Sequence, residues 1–365
     1  MATKKATAKT TAKAPAAPAK KACCRKACAK KAAPKAVKIY HDKDVDDSVL
    51  KGKTIAVIGF GAQGRAQALC LRDSGVNVII GVRAGKSFKA AKAAGFETLS
   101  VDKAAKKADI IHILLPDESH KKVYAEQIAK YVTPGKTLCC SHGFAYVFKN
   151  IVPPEGVDVI MVAPKGPGTE VRRVFEEGFG CPGLVAVFQD ASGNAMQTAL
   201  AIAKGEGLTR GGVLECTMQQ ETYEDLFGEQ NVLCGGIVDL MKYGFETLIE
   251  AGYPPEMAYF ECIHEAKLIV DIIYNKGIAA MNAVISNTAE FGEYYNGPKI
   301  ITPDVKKRMK ESLKRIESGE FAKTWMKEAE KGAPTLAKKR EQLAKHPAEV
   351  VGAKIRQLFE RKASK

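Results

Sequence analysis

The chain has 365 residues, 46% hydrophobic and 27% charged, which excludes a disordered or fibrous protein and allows two domains with cores of their own. No run approaches the roughly 18 uninterrupted apolar residues of a membrane-spanning helix, so a membrane partner is excluded. The net charge of +15 sits mostly in residues 1–36, which hold ten Lys, Arg25 and no acid, so the body is close to neutral.

That basic segment is nearly all Ala, Lys, Thr and Pro. With no apolar face to bury and strong self-repulsion, residues 1–36 are predicted to be a disordered tail. The tail lacks the apolar stretch of a secretory signal and is poor in the Arg and Ser of an organellar transit peptide. Its composition suits weak, salt-sensitive nucleic-acid binding through phosphate neutralisation, and equally a solvated tail with no specific partner. Beyond Cys23, Cys24 and Cys28, the body carries Cys70, Cys139, Cys140, Cys181, Cys216, Cys234 and Cys262. No two form a CxxC pair, which argues against a zinc finger or a disulfide framework and for a reducing cytoplasm.

From Lys53 onward, short β-rich apolar runs alternate with helical stretches. Thr54–Ile58 reads as a buried strand, residues 66–73 as a helix, and residues 76–82 as a second strand. Residues 109–115, 136–141 and 157–162 continue the strands. The alternation predicts a Rossmann-type, doubly wound parallel sheet. Gly59-Phe60-Gly61-Ala62-Gln63-Gly64 lies between the first strand and its helix, where a GxGxxG turn cradles a pyrophosphate. At the end of the second strand an NAD site usually places an acid that holds the ribose 2′-hydroxyl. This chain has Arg83 there, followed by Lys86 and Ser87, which suits a 2′-phosphate and predicts NADPH.

From Thr217 onward the strand signal gives way to long amphipathic helical patterns. Glu221, Asp225 and Glu229 recur every four residues, and Glu261 and Glu265 share that spacing. Like charges so placed need a compensating cation or open solvent. Apolar neighbours such as Phe227 and Ile237, or Tyr259 and Ile263, favour partial burial. Oxygen donors without a His/Cys set point to Mg²⁺, and four carboxylates can hold two ions.

The segments GFGAQG (residues 59–64), LPDE (115–118), SHGF (141–144), APKGPG (163–168), ETYEDLFGEQ (221–230), ECIHEAK (261–267) and ISNT (285–288) occur in one order. In these segments, over about residues 37–362, the chain resembles the ketol-acid reductoisomerases (acetohydroxyacid isomeroreductases) of the short, class I type. The resemblance implies an NADP-binding Rossmann domain at 37–216 and an all-helical knotted domain at 217–362. It implies a two-step conversion of 2-acetolactate or 2-aceto-2-hydroxybutyrate, in valine and isoleucine biosynthesis. Mg²⁺ assists an alkyl migration and NADPH reduces the resulting 2-keto acid to a 2,3-dihydroxy acid.

The resemblance also implies residue roles. Asp225 would bridge two Mg²⁺ ions, with Glu229 on one and Glu261 and Glu265 near the other, the last two from the partner of a dimer. His142 and Lys165 would stand near the substrate and Ser286 would contact it. Phe60, Gly61, Ala62, Gln63, Arg83, Ser87, Asp117, Glu118, Ser119, His120 and Gly168 fall on cofactor-contacting positions. The loop from Arg83 to Phe88 is one residue shorter than the commonest version, which leaves open whether Lys86 or Ser87 meets the phosphate. Proton transfer at the tertiary hydroxyl would fall to a metal-held hydroxide or to Glu265. Glu221 is expected outside the metal shell, as a supporting or surface acid. A rival with similar architecture is a β-hydroxyacid dehydrogenase, which needs no metal.

Overall fold

The structure, a computed structural model, describes residues 36–359; the predictions made for the basic tail fall outside the described residues. Among the described residues nine strands form one sheet: β1 (Ile39–Tyr40), β2 (Thr54–Ile58), β3 (Asn77–Gly81), β4 (Glu97–Leu99), β5 (Ile110–Ile113), β6 (Thr137–Cys140), β7 (Asp158–Pro164), β8 (Gly183–Gln189) and β9 (Val213–Glu215). The order is β1-β9-β8-β7-β6-β5-β2-β3-β4. Each of the five strands read from the sequence is present within a residue or two at each end.

The central strands are buried on both faces, so they read as unbroken apolar runs such as Ile55-Ala56-Val57-Ile58. Two buried clusters result, one on each face, with alternate β2 residues pointing into each. Full burial of each large aliphatic side chain contributes about 1.5–3 kcal/mol, so the sheet is a rigid platform for the loops at its edge.

The expectation of a wholly parallel sheet is corrected at one side. From β4 through β2 to β7 all pairs are parallel, but β8 runs antiparallel to β7 and β1 antiparallel to β9. Strand direction is set by the connection, not by the strand's own residues, so Gly183–Gln189 alone does not betray its reversal. After Glu215 the described residues contain no strand, and helices run from Met218 to Phe359.

One buried group stands apart from the site described below. Glu206, at the end of the Ala195–Gly205 helix, is 1% exposed, and among the described residues neither carboxylate oxygen has a hydrogen-bond partner. Burial pushes its pKa well above the ordinary range, so between the unfolded value and that raised value it is protonated in the folded chain and ionised in the unfolded chain. The unfolded state then binds fewer protons. Stability therefore falls as pH rises past the unfolded value near ~4.3, at up to about 1.4 kcal/mol per pH unit. Glu206→Gln should raise the melting temperature by an increment that grows between pH 5 and pH 8. The same increment at both pH values would mean that the carboxyl is solvated.

Candidate active site

The strand series reverses direction between β2 and β5, because β2, β3 and β4 proceed one way and β5, β6 and β7 the other. Such a switch point leaves a crevice at the carboxyl ends of the strands, where open α/β sheets bind ligands. A cleft of about 1230 Å³ opens there. It is lined by Gly59–Gln63 after β2, Val82 and Arg83 after β3, Leu114 to Asp117 after β5, Ser141 and His142 after β6, and Pro164 to Pro167 after β7.

The glycines of the first loop do different work. Gly59 has φ +108°, and a Cβ there would lie 2.5 Å from the Leu114 carbonyl oxygen. A Cβ on Gly64 would lie 2.4 Å from the Gly59 oxygen, so this glycine serves packing of helix Ala62–Asp73 against the turn. Gly61 lines the cleft and a Cβ there would meet nothing within 4 Å. Its outer side is open to a ligand, at the N-terminus of a twelve-residue helix whose free N–H groups suit a phosphate.

At the other end of the cleft stand acids and cations. Helix Met218–Gly228 starts at a capping box in which Thr217 and Gln220 satisfy each other's backbone N–H groups. Its side packs against the Ser141–Phe144 turn so closely that a Cβ on Gly143 would meet Thr222 Oγ1 at 2.3 Å. That contact brings His142 Nδ1 to 3.1 Å from Glu221 and 3.5 Å from Asp225. Lys165 Nζ, from the loop after β7, donates to Glu221 at 2.8 Å and Asp225 at 2.9 Å. Here is the compensating cation that the four-residue acidic spacing required.

Electrostatics within the cluster is mutual. Burial lowers the His142 pKa, but the Glu221 hydrogen bond and charge, with Asp117 and Asp225, outweigh it and leave a value of about 9. Burial also opposes the Lys165 charge, and Glu221 with Asp225 again prevails and raises its pKa. Glu221 responds in kind: burial favours its neutral form, yet His142 and Lys165 hold its pKa below the usual range. Glu229, in the same wall of the cleft, is raised by burial and by Asp225. Two acids and two cations thus lie together in one partly desolvated site, a balanced group whose members cannot be removed singly without stranding charge.

The cleft brings together Phe60, Gly61, Ala62, Gln63, Arg83, Ser87, Asp117, Ser119, His120, His142, Lys165, Asp225 and Glu229. His120 is 3% exposed and its Nε2 meets the Leu115 carbonyl at 2.8 Å. Four predicted cofactor residues do not line it. Gly64 and Gly168 are packing glycines; a Cβ on Gly168 would lie 2.3 Å from the Ala62 oxygen. Glu118 and Lys86 are exposed outside the lining, while Ser87 is inside it. Glu261, Glu265 and Ser286 are exposed on the chain and form no part of its cleft. Of the two readings of Glu221, supporting or surface acid, burial rules out the second: it is 1% exposed and pairs with both cations. The sequence signal for it was its place one turn before Asp225 on the same helical face.

Both acid pairs meet a π-turn. Glu229 opens one at Glu229–Leu233; Glu261 lies within another at Phe260–His264, and Glu265 follows it. Such turns insert one residue into a helix and re-aim the side chains around it.

Residues 49–212 match the family described as acetohydroxy acid isomeroreductase, NADPH-binding domain, and residues 218–361 match ketol-acid reductoisomerase, C-terminal domain. The chain is 77% identical over 323 residues to a ketol-acid reductoisomerase (NADP(+)) of Akkermansia muciniphila, covering 88% of this chain and 99% of that protein. It is 59% identical over 332 residues to a ketol-acid reductoisomerase (NAD(+)) of an uncultured archaeon, covering 89% and 100%. The solved structure of an NADH-preferring ketol-acid reductoisomerase from an uncultured archaeon superposes with a TM-score of 0.87, at 59% identity over 89% of this chain and 100% of that one.

Proposed function

The chain belongs to the ketol-acid reductoisomerase family, and from that premise we propose how its cleft performs the family's reaction, alkyl migration in a 2-aceto-2-hydroxy acid followed by reduction with NADPH. The observation that carries this reading is the continuity of the cleft. One wall runs from the Gly59–Gln63 loop to Lys165, Glu221 and Asp225, so a dinucleotide seated on the loop reaches toward the acid cluster.

The residues fit the two groups that the family implies. Carboxylate oxygens of Asp225 and Glu229 share one cleft, and His142, Glu221 and Asp225 offer donor atoms within 4.8 Å of one another. Hard oxygen donors of this kind suit Mg²⁺. Bound there, Mg²⁺ supplies Lewis-acid stabilisation of oxyanions, and NADPH supplies hydride. Asp225 and Glu229 would hold metal, while Lys165 and His142 bind and orient the substrate's oxygens. Glu221 keeps both cations in place and protonated. Glu265 is the proposed proton carrier at the substrate's tertiary hydroxyl, and Ser286 a substrate contact.

Glu261, Glu265 and Ser286 reach the cleft in this reading from a second copy of the chain, in a knotted dimer. The helical half supports it with unpaired apolar surface. Tyr274 is 84% exposed, Phe291 68% and Ile300 64% on the single chain. The helices Glu265–Lys276 and Asn287–Ile300 bury no residue fully. Large apolar side chains exposed together on helices that bury none fully suit an interface.

NADPH is the proposed cofactor because Arg83 and Ser87 line the cleft beyond β3 and no acid takes their place. Ser87 lies in the first turn of helix Lys86–Ala93, whose N-terminus favours a phosphate. Relatives of either preference exist, so these side chains decide. Arg83→Asp with Ser87→Asp should weaken NADPH at least about 10²-fold, from loss of a charge-assisted contact and added repulsion, and leave NADH nearly unchanged. Equal loss for both cofactors in a fluorescence titration would refute the assignment.

The direct test of the function is NADPH oxidation with 2-acetolactate, with and without Mg²⁺. Turnover that persists in EDTA would favour the metal-independent β-hydroxyacid dehydrogenase reading. A second role rests on composition alone: eleven cations and no acid in residues 1–36 suit weak nucleic-acid binding in the cytoplasm. The full chain should bind DNA at low salt, whereas a chain starting at Val37 should not; equal binding by both would clear the tail.

A further inference from the structure

From the cleft lining down into the core runs a row of polar side chains, Gln63, Gln67, Ser141 and His112, of which the proposed reaction uses neither Gln67 nor His112. Gln67, in the second turn of helix Ala62–Asp73, is fully buried, and so is His112 at the centre of β5. Gln63 Nε2 donates to the Gly166 carbonyl at 2.9 Å, and Gln67 Nε2 donates to Gln63 Oε1 at 3.0 Å. Ser141 Oγ lies 3.1 Å from the Gln67 amide, and His112 Nε2 lies 3.3 Å from Ser141 Oγ.

Donor and acceptor rules give this row one direction. The Gly166 carbonyl can only accept, so Gln63 must turn its NH₂ toward it and its oxygen toward Gln67. Gln67 therefore spends an N–H on Gln63, and its own oxygen is satisfied only if the Ser141 hydroxyl donates to it. Ser141 then accepts from His112, whose proton must be on Nε2. The opposite arrangement leaves the Gln67 oxygen unpaired and a buried Nδ1–H with no acceptor, since His112 Nδ1 has no partner among the described residues. Burial lowers the His112 pKa to about 3, which keeps the ring neutral.

We propose that Gln67 is a positioning residue, the middle of a one-way hydrogen-bond relay from His112 through Ser141, Gln67 and Gln63 to Gly166. The relay ties together three loops: the dinucleotide loop through Gln63, the His142 turn through its neighbour Ser141, and the Lys165 loop through its neighbour Gly166. It sets the acid cluster in register with the cofactor. The kinetic half of the inference rests on the function proposed above; the relay itself does not.

Two measurements separate those halves. Nitrogen-15 NMR of the histidine side chains in the intact protein should show His112 neutral and protonated on Nε2 down to pH 5. Ser141→Ala should shift that signal. An Nδ1–H tautomer, or a ring that titrates near pH 6.5, would overturn the relay whatever the enzyme does.

Kinetically, Gln67→Met keeps the volume and removes the relay, and should lower kcat with 2-acetolactate by about 10²-fold through misplacement of Lys165 and His142. KM for NADPH should stay close to wild type, and the melting temperature should fall by only a few degrees, roughly the effect of leaving the Gln63 and Ser141 partners unpaired, so that the assay is run well below it. Gln67→Glu, which cannot donate to Gln63, should be as impaired, whereas Ser141→Thr, which keeps the hydroxyl, should recover most of the activity lost in Ser141→Ala. Gln67→Met with kcat within twofold of wild type would overturn the positioning role. So would a loss that merely follows a fall in melting temperature. Wild-type protein inactive with 2-acetolactate and Mg²⁺, with the His112 signature intact, would instead count against the function and leave the relay standing.

Discussion

An Asp225→Asn protein is expected to lose at least about 10³-fold in kcat/KM with 2-acetolactate, while its affinity for NADPH stays within about twofold of wild type. The size follows from what the carboxylate would do as the proposed metal ligand. A metal centre contributes several kcal/mol to stabilising developing oxyanion charge, and each 1.36 kcal/mol is tenfold in rate. Asparagine has nearly the same shape but no charge, so in the proposed site it would weaken metal binding without opening a hole. It also frees Lys165 from one of its two acids, 2.9 Å away, and leaves the ammonium paired with Glu221 alone.

The cofactor loop lies at the other end of the cleft, which is why NADPH binding should survive. Excess Mg²⁺ should restore EDTA-treated wild type but not the variant. A variant within tenfold of wild type would remove Asp225 from the centre of the chemistry.

Much of this was legible before any coordinates. The sheet was readable because strands buried on both faces carry continuous apolar runs, as Ile110–Ile113 does, and because a glycine-rich turn joined one of them to a helix. The reversal of β8 was not, since direction depends on how the chain returns to the sheet. Four-residue spacing put Glu221 and Asp225 on one face, and like charges so close called for a cation or open solvent. That the cation is Lys165, 56 and 60 positions away, is a property of packing that no local pattern encodes.

The choice between a supporting and a surface role for Glu221 was not legible for the same reason: burial to 1% comes from the Gly143 turn pressed against its helix, not from its neighbours in sequence. Gly168, which the resemblance places among the cofactor contacts, has a packing role no sequence pattern announces: its missing side chain makes room for the Ala62 backbone.

Glu261, Glu265 and the apolar helices around them raise the most consequential expectation, that one chain alone has no complete site. Asp225→Asn and Glu265→Gln proteins should each be inactive as homodimers. Co-expressed with different tags and purified through both, the mixed dimer pairs an intact Asp225 from one chain with an intact Glu265 from the other in one of its two sites. In a symmetric two-fold dimer it should recover about half of wild-type turnover. A mixed dimer as inactive as its parents would mean that both acids serve the same chain's cleft, and the shared carboxylate centre would have to be abandoned.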